Sequence, residues 1–413
     1  LSSVLFSATI RLVKHILYTA FDVVPSPKGS STHITAFVQA LAIAGYQVDL
    51  LTPGDAHLPA QDHHAGARLL RVALDPALSM LRRATLFDAA VAAHLATHTY
   101  DLVHFRSIWG GLAALHAQPQ YGYRTLFEVN GLPSIELKYH YPGLADGSSA
   151  AAALIAQLRA QEAMLIRQSD LLITPAAVTA TFLASLGADP ARLRVIPNGA
   201  TPLADVPPPL QGDLPTLLYI GTLADWQGLH TLIAALPMVL AVRPVRLRIV
   251  GSGRSRQRRA LAKLAAKLGV SEAVQVEEPV PHAEVADLIA SADVCVAPLE
   301  PNDRNVTQGC CPIKVIEYMA AARPLVAANL PVVRELLRED VEGLLAIPGN
   351  PRDLARSILS LLDDPARAVA MGQRAAMRVR SSLTWQHAQQ RLLAVYEQVF
   401  TSDNAKTGPG SVL

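Results

Sequence analysis

Residues Ser291–Ala328 read SADVCVAPLEPNDRNVTQGCCPIKVIEYMAAARPLVAA, and this stretch decides the fold. Val294–Pro298 and Pro324–Ala328 are short apolar runs, partly β-branched, of the kind that forms strands buried on both faces. A long polar loop lies between them, and Pro312 suits the first position of a short helix. The spacing predicts Ile313, Ile316 and Ala320 on one helical face, with Lys314 and Glu317 three residues apart beside it. A loop running from a parallel strand into a helix start offers unpaired backbone N–H groups to an anion. A carboxylate one turn further in repels phosphate, but it accepts hydrogen bonds from vicinal hydroxyls such as those of a ribose. Diphosphate at the helix start and ribose on Glu317 is therefore one way to hold a nucleotide. The plain alternative for Lys314 and Glu317 is a surface pair at helical spacing, which is worth little.

Working outward, the N-terminal half alternates two kinds of segment. His15–Ala20, Tyr46–Leu51, Leu102–Phe105, Arg124–Val129, Leu171–Thr174 and Arg194–Ile196 read as strands. Thr32–Ala44, Thr85–His98 and Ala150–Gln168 read as helices. Thr201–Pro215 is rich in proline and reads as a linker. The alternation then restarts with strands Thr216–Ile220, Arg246–Val250 and Val274–Val276, and helices Leu229–Val242, Arg256–Leu268 and His282–Ser291. Helices at Asp353–Leu362, Pro365–Ser381 and Trp385–Val399 close the chain. Such alternation builds parallel, doubly wound α/β sheets that bind ligands at the carboxyl ends of their strands.

The 413 residues favour two domains over one. With 36 basic against 34 acidic residues the net charge is +2, which argues against a general nucleic-acid binder. The 51% hydrophobic content, much of it alanine, excludes a disordered chain. No uninterrupted apolar run is long enough to span a bilayer. Three cysteines, Cys310 and Cys311 adjacent, give neither a disulfide framework nor a zinc spacing, and fit a reducing cytosol. The opening LSSVLFSATIRLVK is broken by Arg11 and Lys14, so it reads as an extension rather than a signal peptide.

Taken with the motifs around it, CPIKVIEYMAAARPLVA resembles the donor-binding segment of family-4 retaining glycosyltransferases, which have the GT-B fold. The resemblance runs from about His15 to Phe400. It implies two Rossmann-like domains facing a central cleft. Residues 1–13 would be an extension and 14–200 the acceptor domain. Residues 201–215 would be the linker and 216–384 the nucleotide-sugar donor domain. Residues 385–402 would form a helix crossing back to the first domain, and 403–413 a flexible tail.

The resemblance also assigns candidate residues. In the first loop, Gly29 and Ser30 match the glycine-rich turn that faces the donor diphosphate, and Lys28 adds charge beside them; Ser30, Ser31 or Thr32 would cap the following helix. Phe127–Gly131 ends a strand at the cleft, and Asn130 stands where many relatives carry a donor-sugar histidine; Asn can hydrogen-bond a hydroxyl but cannot act as a base. The following GLPSIELKYHYPG, with Lys138 and His140, reads either as acceptor lining or as a solvated loop. Val195–Gly199 resembles the domain-closing turn. Gly221, Thr222 and Gln227 match the loop after the first donor-domain strand, but Thr222 and Gln227 replace an Arg and a Lys that commonly balance the diphosphate. Lys314 is the first candidate to supply that charge, with Lys28 and Arg304 behind it. Gly251 and Gly253 border the base, with Val280 on the other wall. The phosphate cradle would be Cys310, Cys311 and Ile313, since Pro312 has no N–H. Glu317 matches the second of two family glutamates, while Gly309 takes the place of the first. The adjacent cysteines read as small residues tolerated in a tight loop rather than as a redox pair. His63-His64 and His94/His98 read as solvated or core residues, with no metal site.

The implied activity is retaining, metal-independent transfer of a sugar from a nucleotide-sugar co-substrate, UDP- or GDP-linked. The acceptor would be a hydroxyl of a glycan, lipid-linked or small-molecule compound, as in cell-envelope or polysaccharide synthesis. Asn130, Lys314 and Glu317 would form the catalytic set, with no separate cofactor and no nucleic acid. The location would be cytoplasmic, with peripheral membrane contact through an amphipathic helix opened by Leu81-Arg82-Arg83. Two alternatives stand beside this reading: a catalytically silent nucleotide-binding scaffold, and an epimerase or hydrolase on the same fold.

Overall fold

Apolar runs of four or five residues that must be covered on both faces pair with one another in two sheets. A computed structural model of the chain describes residues 13–203 and 214–404. The expected extension, most of the linker and most of the tail lie outside the described residues. The first sheet holds β1 (His15–Thr19), β2 (Gln47–Gly54), β3 (Gln61–His64), β4 (Ala67–Ala73), β5 (Leu102–Phe105), β6 (Arg124–Glu128), β7 (Leu171–Thr174) and β8 (Leu193–Val195). Their spatial order is β3-β4-β2-β1-β5-β6-β7-β8. The second sheet holds β9 (Thr216–Ile220), β10 (Arg246–Val250), β11 (Val274–Glu277), β12 (Val294–Ala297), β13 (Leu325–Ala328) and β14 (Leu344–Ala346), in the order β11-β10-β9-β12-β13-β14. The pairs are parallel apart from the antiparallel hairpin β3–β4. Strand order reverses between β1 and β5 and again between β9 and β12. These switch points leave a crevice at the carboxyl ends of the strands.

The elements differ from expectation mainly where polar residues hide them. His63-His64 lies in β3, paired with β4. GLPSIELKYHYPG is not a solvated loop but contains the helix Pro133–His140, with Pro133 in its first turn. The helices Ile108–Tyr121 and Ala177–Ser185 were not anticipated. The first helix starts at Gly29 rather than Thr32, and Lys28 stands at its cap position without a side-chain bond. Ser31 instead accepts the Ser26 N–H at 2.9 Å, and Ser30 donates to Asp22 at 2.9 Å. Pro312 is the cap rather than the first residue of the helix Ile313–Ala320.

The amphipathic helix begins at Met80, capped by Ser79, and buries Ala84, Phe87, Val91 and Leu95. Its apolar face therefore serves the core of the first sheet. No helix among the described residues is long and apolar enough to cross a membrane.

The final helix, Trp385–Asn404, lies against the first sheet. Its Ala388, Leu392, Val395, Tyr396 and Val399 pack with Ile16, Tyr18, Ile34 and Phe37. Burial of a Leu or Val contributes about 1.5–3 kcal/mol, so this contact fastens the chain's last element to its first strand. Gly199 permits the crossing: a Cβ there would meet the Trp385 backbone N at 2.3 Å.

Candidate active site

Loops from the ends of β1, β6, β9, β10 and β12 enclose a cavity of about 330 Å³ between the two sheets. The helix Ile313–Ala320 forms its floor on the second-sheet side. Val315, Ile316, Tyr318, Met319 and Ala320 are buried in the core, so Lys314 and Glu317 are left on the cleft side. Ile313, expected in the apolar face, instead lines the cavity, and a Cβ on Gly29 would stand 3.3 Å from its Cδ1. The first loop of one domain thus abuts the helix start of the other. Tyr318 pins the helix by accepting the Ile220 N–H at 2.8 Å.

Lys314 and Glu317 are not a surface pair. The Lys314 ammonium donates to Tyr219 Oη at 2.7 Å and to Gln227 Oε1 at 2.6 Å, and it sits 3.9 Å from the Tyr219 ring centre. Desolvation holds it well below the usual lysine range, with Glu317 opposing that shift and Arg304 adding to it. Burial pushes the Glu317 carboxyl up to about 7, against the pull of Lys314. Gln227 has a specific use here: its carbonyl accepts from Lys314 while its amide reaches Thr222 Oγ1 at 3.4 Å. A lysine at that position would set two ammonium groups against each other. Gly221 is obligatory beside them, because at φ +144° a Cβ would meet Lys314 Nζ at 2.7 Å.

The first-sheet wall carries a buried carboxylate with many donors. Glu128 Oε2 accepts from Tyr18 at 2.6 Å and faces His104 Nε2 at 3.1 Å. Its Oε1 accepts from Arg106 Nε at 2.8 Å and from the Asn130 amide. His33 Nε2 also stands 2.8 Å from Oε1, without the alignment of a hydrogen bond. An uncompensated buried carboxylate is strongly destabilising. Here burial opposes ionisation, but His33, Arg106 and His104 outweigh it and hold the Glu128 carboxyl well below its ordinary range. Asn130 lines the cavity but spends its amide on Glu128.

At the mouth, helix Pro133–His140 meets the single π-helical turn Arg304–Gln308. Arg304 Nε is 3.0 Å from Glu136, and its guanidinium lies 5.0 Å from the Trp226 ring centre. Gln308 accepts the Leu132 N–H at 2.8 Å and donates to Glu136 at 3.0 Å. Lys138 and Tyr139 both bind Asp303. Glu335 accepts the N–H groups of Ala177 and Val178 at 2.9 and 2.8 Å, so it caps a helix of the opposite domain.

Most of the residues singled out by sequence line this one cavity: Lys28, Gly29, Ser30, Asn130, Gly221, Thr222, Gln227, Gly251, Val280, Cys310, Cys311, Ile313, Lys314 and Glu317. Three do not. Gly253 packs against Leu223, where a Cβ would come within 2.7 Å. Lys138 is drawn to Asp303, and His140 lies edge-on to Trp226 at 5.2 Å. Both belong to the contact between domains rather than to the cavity wall. Burial pushes the Cys310 thiol up and that of Cys311 up to about 12, which keeps both as thiols at neutral pH. His94 bonds Tyr100 at 2.6 Å and stacks on His98. Arg106, His33 and His282 also line the cavity and were missed, and Asn198, read only as part of the domain-closing turn, lines it too. A charged residue in the apolar run around Glu128 was the available signal.

The absence of a glutamate at position 309 has a steric cause. Gly309 has φ +82°, and a Cβ would lie 2.7 Å from Thr179 Oγ1 and 2.9 Å from the Thr179 backbone N. Gly309→Glu is therefore expected to lower the melting temperature without raising activity. Left-handed strain alone costs about 1–3 kcal/mol, and thermal unfolding beside a turnover assay checks both parts.

Comparison with known proteins agrees with this geometry. The glycosyl transferases group 1 family matches residues 214–364, and the glycosyl transferase 4-like domain matches residues 28–199. The D-inositol 3-phosphate glycosyltransferase of Thermobispora bispora is 26% identical over 400 residues, covering 90% of each chain. The sucrose-phosphate synthase of Thermosynechococcus elongatus superposes with a TM-score of 0.79 at 22% identity, over 94% of this chain and 100% of the other. Anabaena HepE, solved in complex with UDP-glucose, gives a TM-score of 0.70 at 16% identity, over 93% and 100%. With its two doubly wound sheets and the cleft between them, the chain belongs to the group 1 glycosyltransferases, retaining enzymes of the GT-B fold that draw on nucleotide-sugar donors.

Proposed function

We propose that this chain moves a hexosyl group, with retention, from a UDP- or GDP-linked donor to a hydroxyl of a glycan, lipid-linked or small-molecule acceptor. Residues 216–384 bind the donor and 14–200 the acceptor, with reaction in the cleft. The diphosphate lies on the backbone N–H groups of Cys310, Cys311 and Ile313 beside Lys314, and the ribose hydroxyls donate to Glu317. As the C1–O bond to phosphate breaks, Lys314 and the helix start stabilise the charge that develops. The acceptor oxygen bonds to C1 on the same face and its proton passes to the departing phosphate oxygen. Arg304 and Lys28 supply further positive charge from the cavity walls, and Asn130 offers its carbonyl oxygen to a sugar hydroxyl. Any contact with an anionic membrane rests on exposed charge such as Arg82, since the apolar face of its helix packs inward.

The observation that carries this reading is the pairing of Lys314 and Glu317 on the cavity floor beside the helix start. A thermal-shift panel with UDP, GDP, ADP and their sugar conjugates tests it. Stabilisation by one nucleotide, lost in Glu317→Ala, is the expected result. No shift with any of them on well-folded protein would move the weight to a silent scaffold.

Proton release gives a second test. Burial pushes the Glu317 carboxyl up to about 7, and ribose hydroxyls favour its ionised form. Near pH 6 Glu317 is mostly protonated and gives up a proton when the ribose binds; near pH 8 it is already ionised and has none to give. Net proton release on nucleotide binding is expected to fall between pH 6 and 8. Calorimetry in buffers of different ionisation enthalpy reads it, and release that rises over that range would contradict the assignment.

A further inference from the structure

Glu128, His33 and Asn198, distant in sequence, make one polar path across the cleft. Asn198 Nδ2 donates to the Cys311 backbone carbonyl at 2.8 Å. A carbonyl only accepts, so the orientation of the Asn198 amide is fixed by this contact. Its Oδ1, 2.7 Å from His33 Nδ1, must then accept, and Nδ1 carries a proton. The other ring nitrogen, Nε2, stands 2.8 Å from Glu128 Oε1, a carboxylate already supplied by Tyr18, Arg106, Asn130 and His104. That contact is close but lacks the alignment of a hydrogen bond, so the bond to Asn198 is what sets the ring's orientation. His33 and Asn198 are only 2% and 6% exposed, so water does not substitute for either partner.

His104 shows the contrasting arrangement. Its Nε2–H meets the same carboxylate, while Nδ1 accepts from Tyr396 at 2.8 Å, and burial pushes the ring down toward its neutral form. One carboxylate therefore stands beside two histidines whose far-side partners differ: His33 Nδ1 donates to Asn198, while His104 Nδ1 accepts from Tyr396.

We infer that His33 and Asn198 are positioning residues that tie the loop at Cys310–Ile313 to the first domain. Glu128 anchors the path, His33 transmits it from the helix Gly29–Ile43, and Asn198 joins it to the carbonyl of the loop that presents its N–H groups to the cavity. The inference deepens the donor-site reading above, since the loop so held is the one assigned there to the diphosphate. It also gives the Pro197-Asn198-Gly199 turn two distinct roles, because Gly199 admits the crossing helix and Asn198 reaches the opposite domain.

The test uses the full chain without ligand first. Long-range proton–nitrogen NMR correlations of His33 are expected to show a proton on Nδ1, the nitrogen that faces Asn198 Oδ1; a bare Nδ1 overturns the path. Asn198→Asp keeps the acceptor for His33 and the side-chain volume but removes the donor to Cys311. Amide hydrogen exchange at Cys311–Val315 is expected to quicken about tenfold, the worth of one such bond, while the Glu128 cluster keeps its protection. Unchanged exchange at that loop overturns the inference. His33→Ala is expected to quicken the same amides, which separates the path from a local effect of the new aspartate. UDP and GDP then serve as probes, and whichever shifts the wild type is expected to bind Asn198→Asp about tenfold more weakly. Equal affinity overturns the positioning role. If neither nucleotide binds wild type, the donor-site reading falls, and the NMR and exchange results still decide the path.

Discussion

Replacing Glu317 by alanine is expected to lower kcat/KM for the nucleotide-sugar donor about 1,000-fold. Two hydroxyl groups donating to one carboxylate are worth about 2 kcal/mol each, and roughly 4 kcal/mol corresponds to three orders of magnitude. The loss is specific to ligand, because the fold gains nothing from this carboxylate. Burial pushes it up to about 7. A carboxyl raised above its unfolded value binds its proton more tightly when folded, so its contribution to stability falls as pH rises from the ordinary carboxylate range toward 7. The alanine variant is therefore expected to melt no lower than wild type, with its advantage larger at pH 8 than at pH 5. Steady-state kinetics with paired melting curves read both effects. An inactive protein that also melts early would point to a structural role for Glu317 instead.

The second large effect is expected at Lys314. Lys314→Met keeps an unbranched chain of similar length over the Tyr219 ring but removes the charge. Loss of a single group that stabilises a developing anion typically costs about 10²–10³-fold in kcat, and that range is expected here. Desolvation of the ammonium already disfavours its charged form, and an apolar replacement of a desolvated charge is often neutral or stabilising. Melting temperature is thus expected to hold while kcat falls. Gln227 would lose its cationic partner, so Lys314→Arg is the useful companion. The longer, forked guanidinium restores charge without fitting between Tyr219 and Gln227, and partial recovery is expected. Full activity in Lys314→Met would pass the role to Arg304 and Lys28.

The legible parts of this chain share one physical property. Strands β5, β7, β9 and β12 are covered on both faces, so they appear in sequence as short apolar runs whose ends are sharp. The hairpin strand β3 and helix Pro133–His140 escaped because much of their surface is polar, and their place is fixed by partners elsewhere in the chain. Lys314 and Glu317 were legible because both lie on one turn of one helix. The Glu128 cluster was not, since it gathers residues from β1, β5, β6 and the first helix.

The sequence by itself determined the two doubly wound sheets, the glycine turns at their strand ends and the helix that carries Lys314 and Glu317. Those features follow from local periodicity, backbone freedom and the spacing of side chains within a single element. Tertiary structure alone decided the rest. It buried Lys314 against Tyr219 and Gln227, raised the Glu317 carboxyl and assembled four hydrogen-bond donors around Glu128. It also closed position 309 to any side chain by setting it against Thr179 of the other domain. Charge state and steric exclusion depend on what surrounds a group in space, and here the surroundings come from other elements of the chain: Tyr219 and Gln227 for Lys314, Thr179 for position 309.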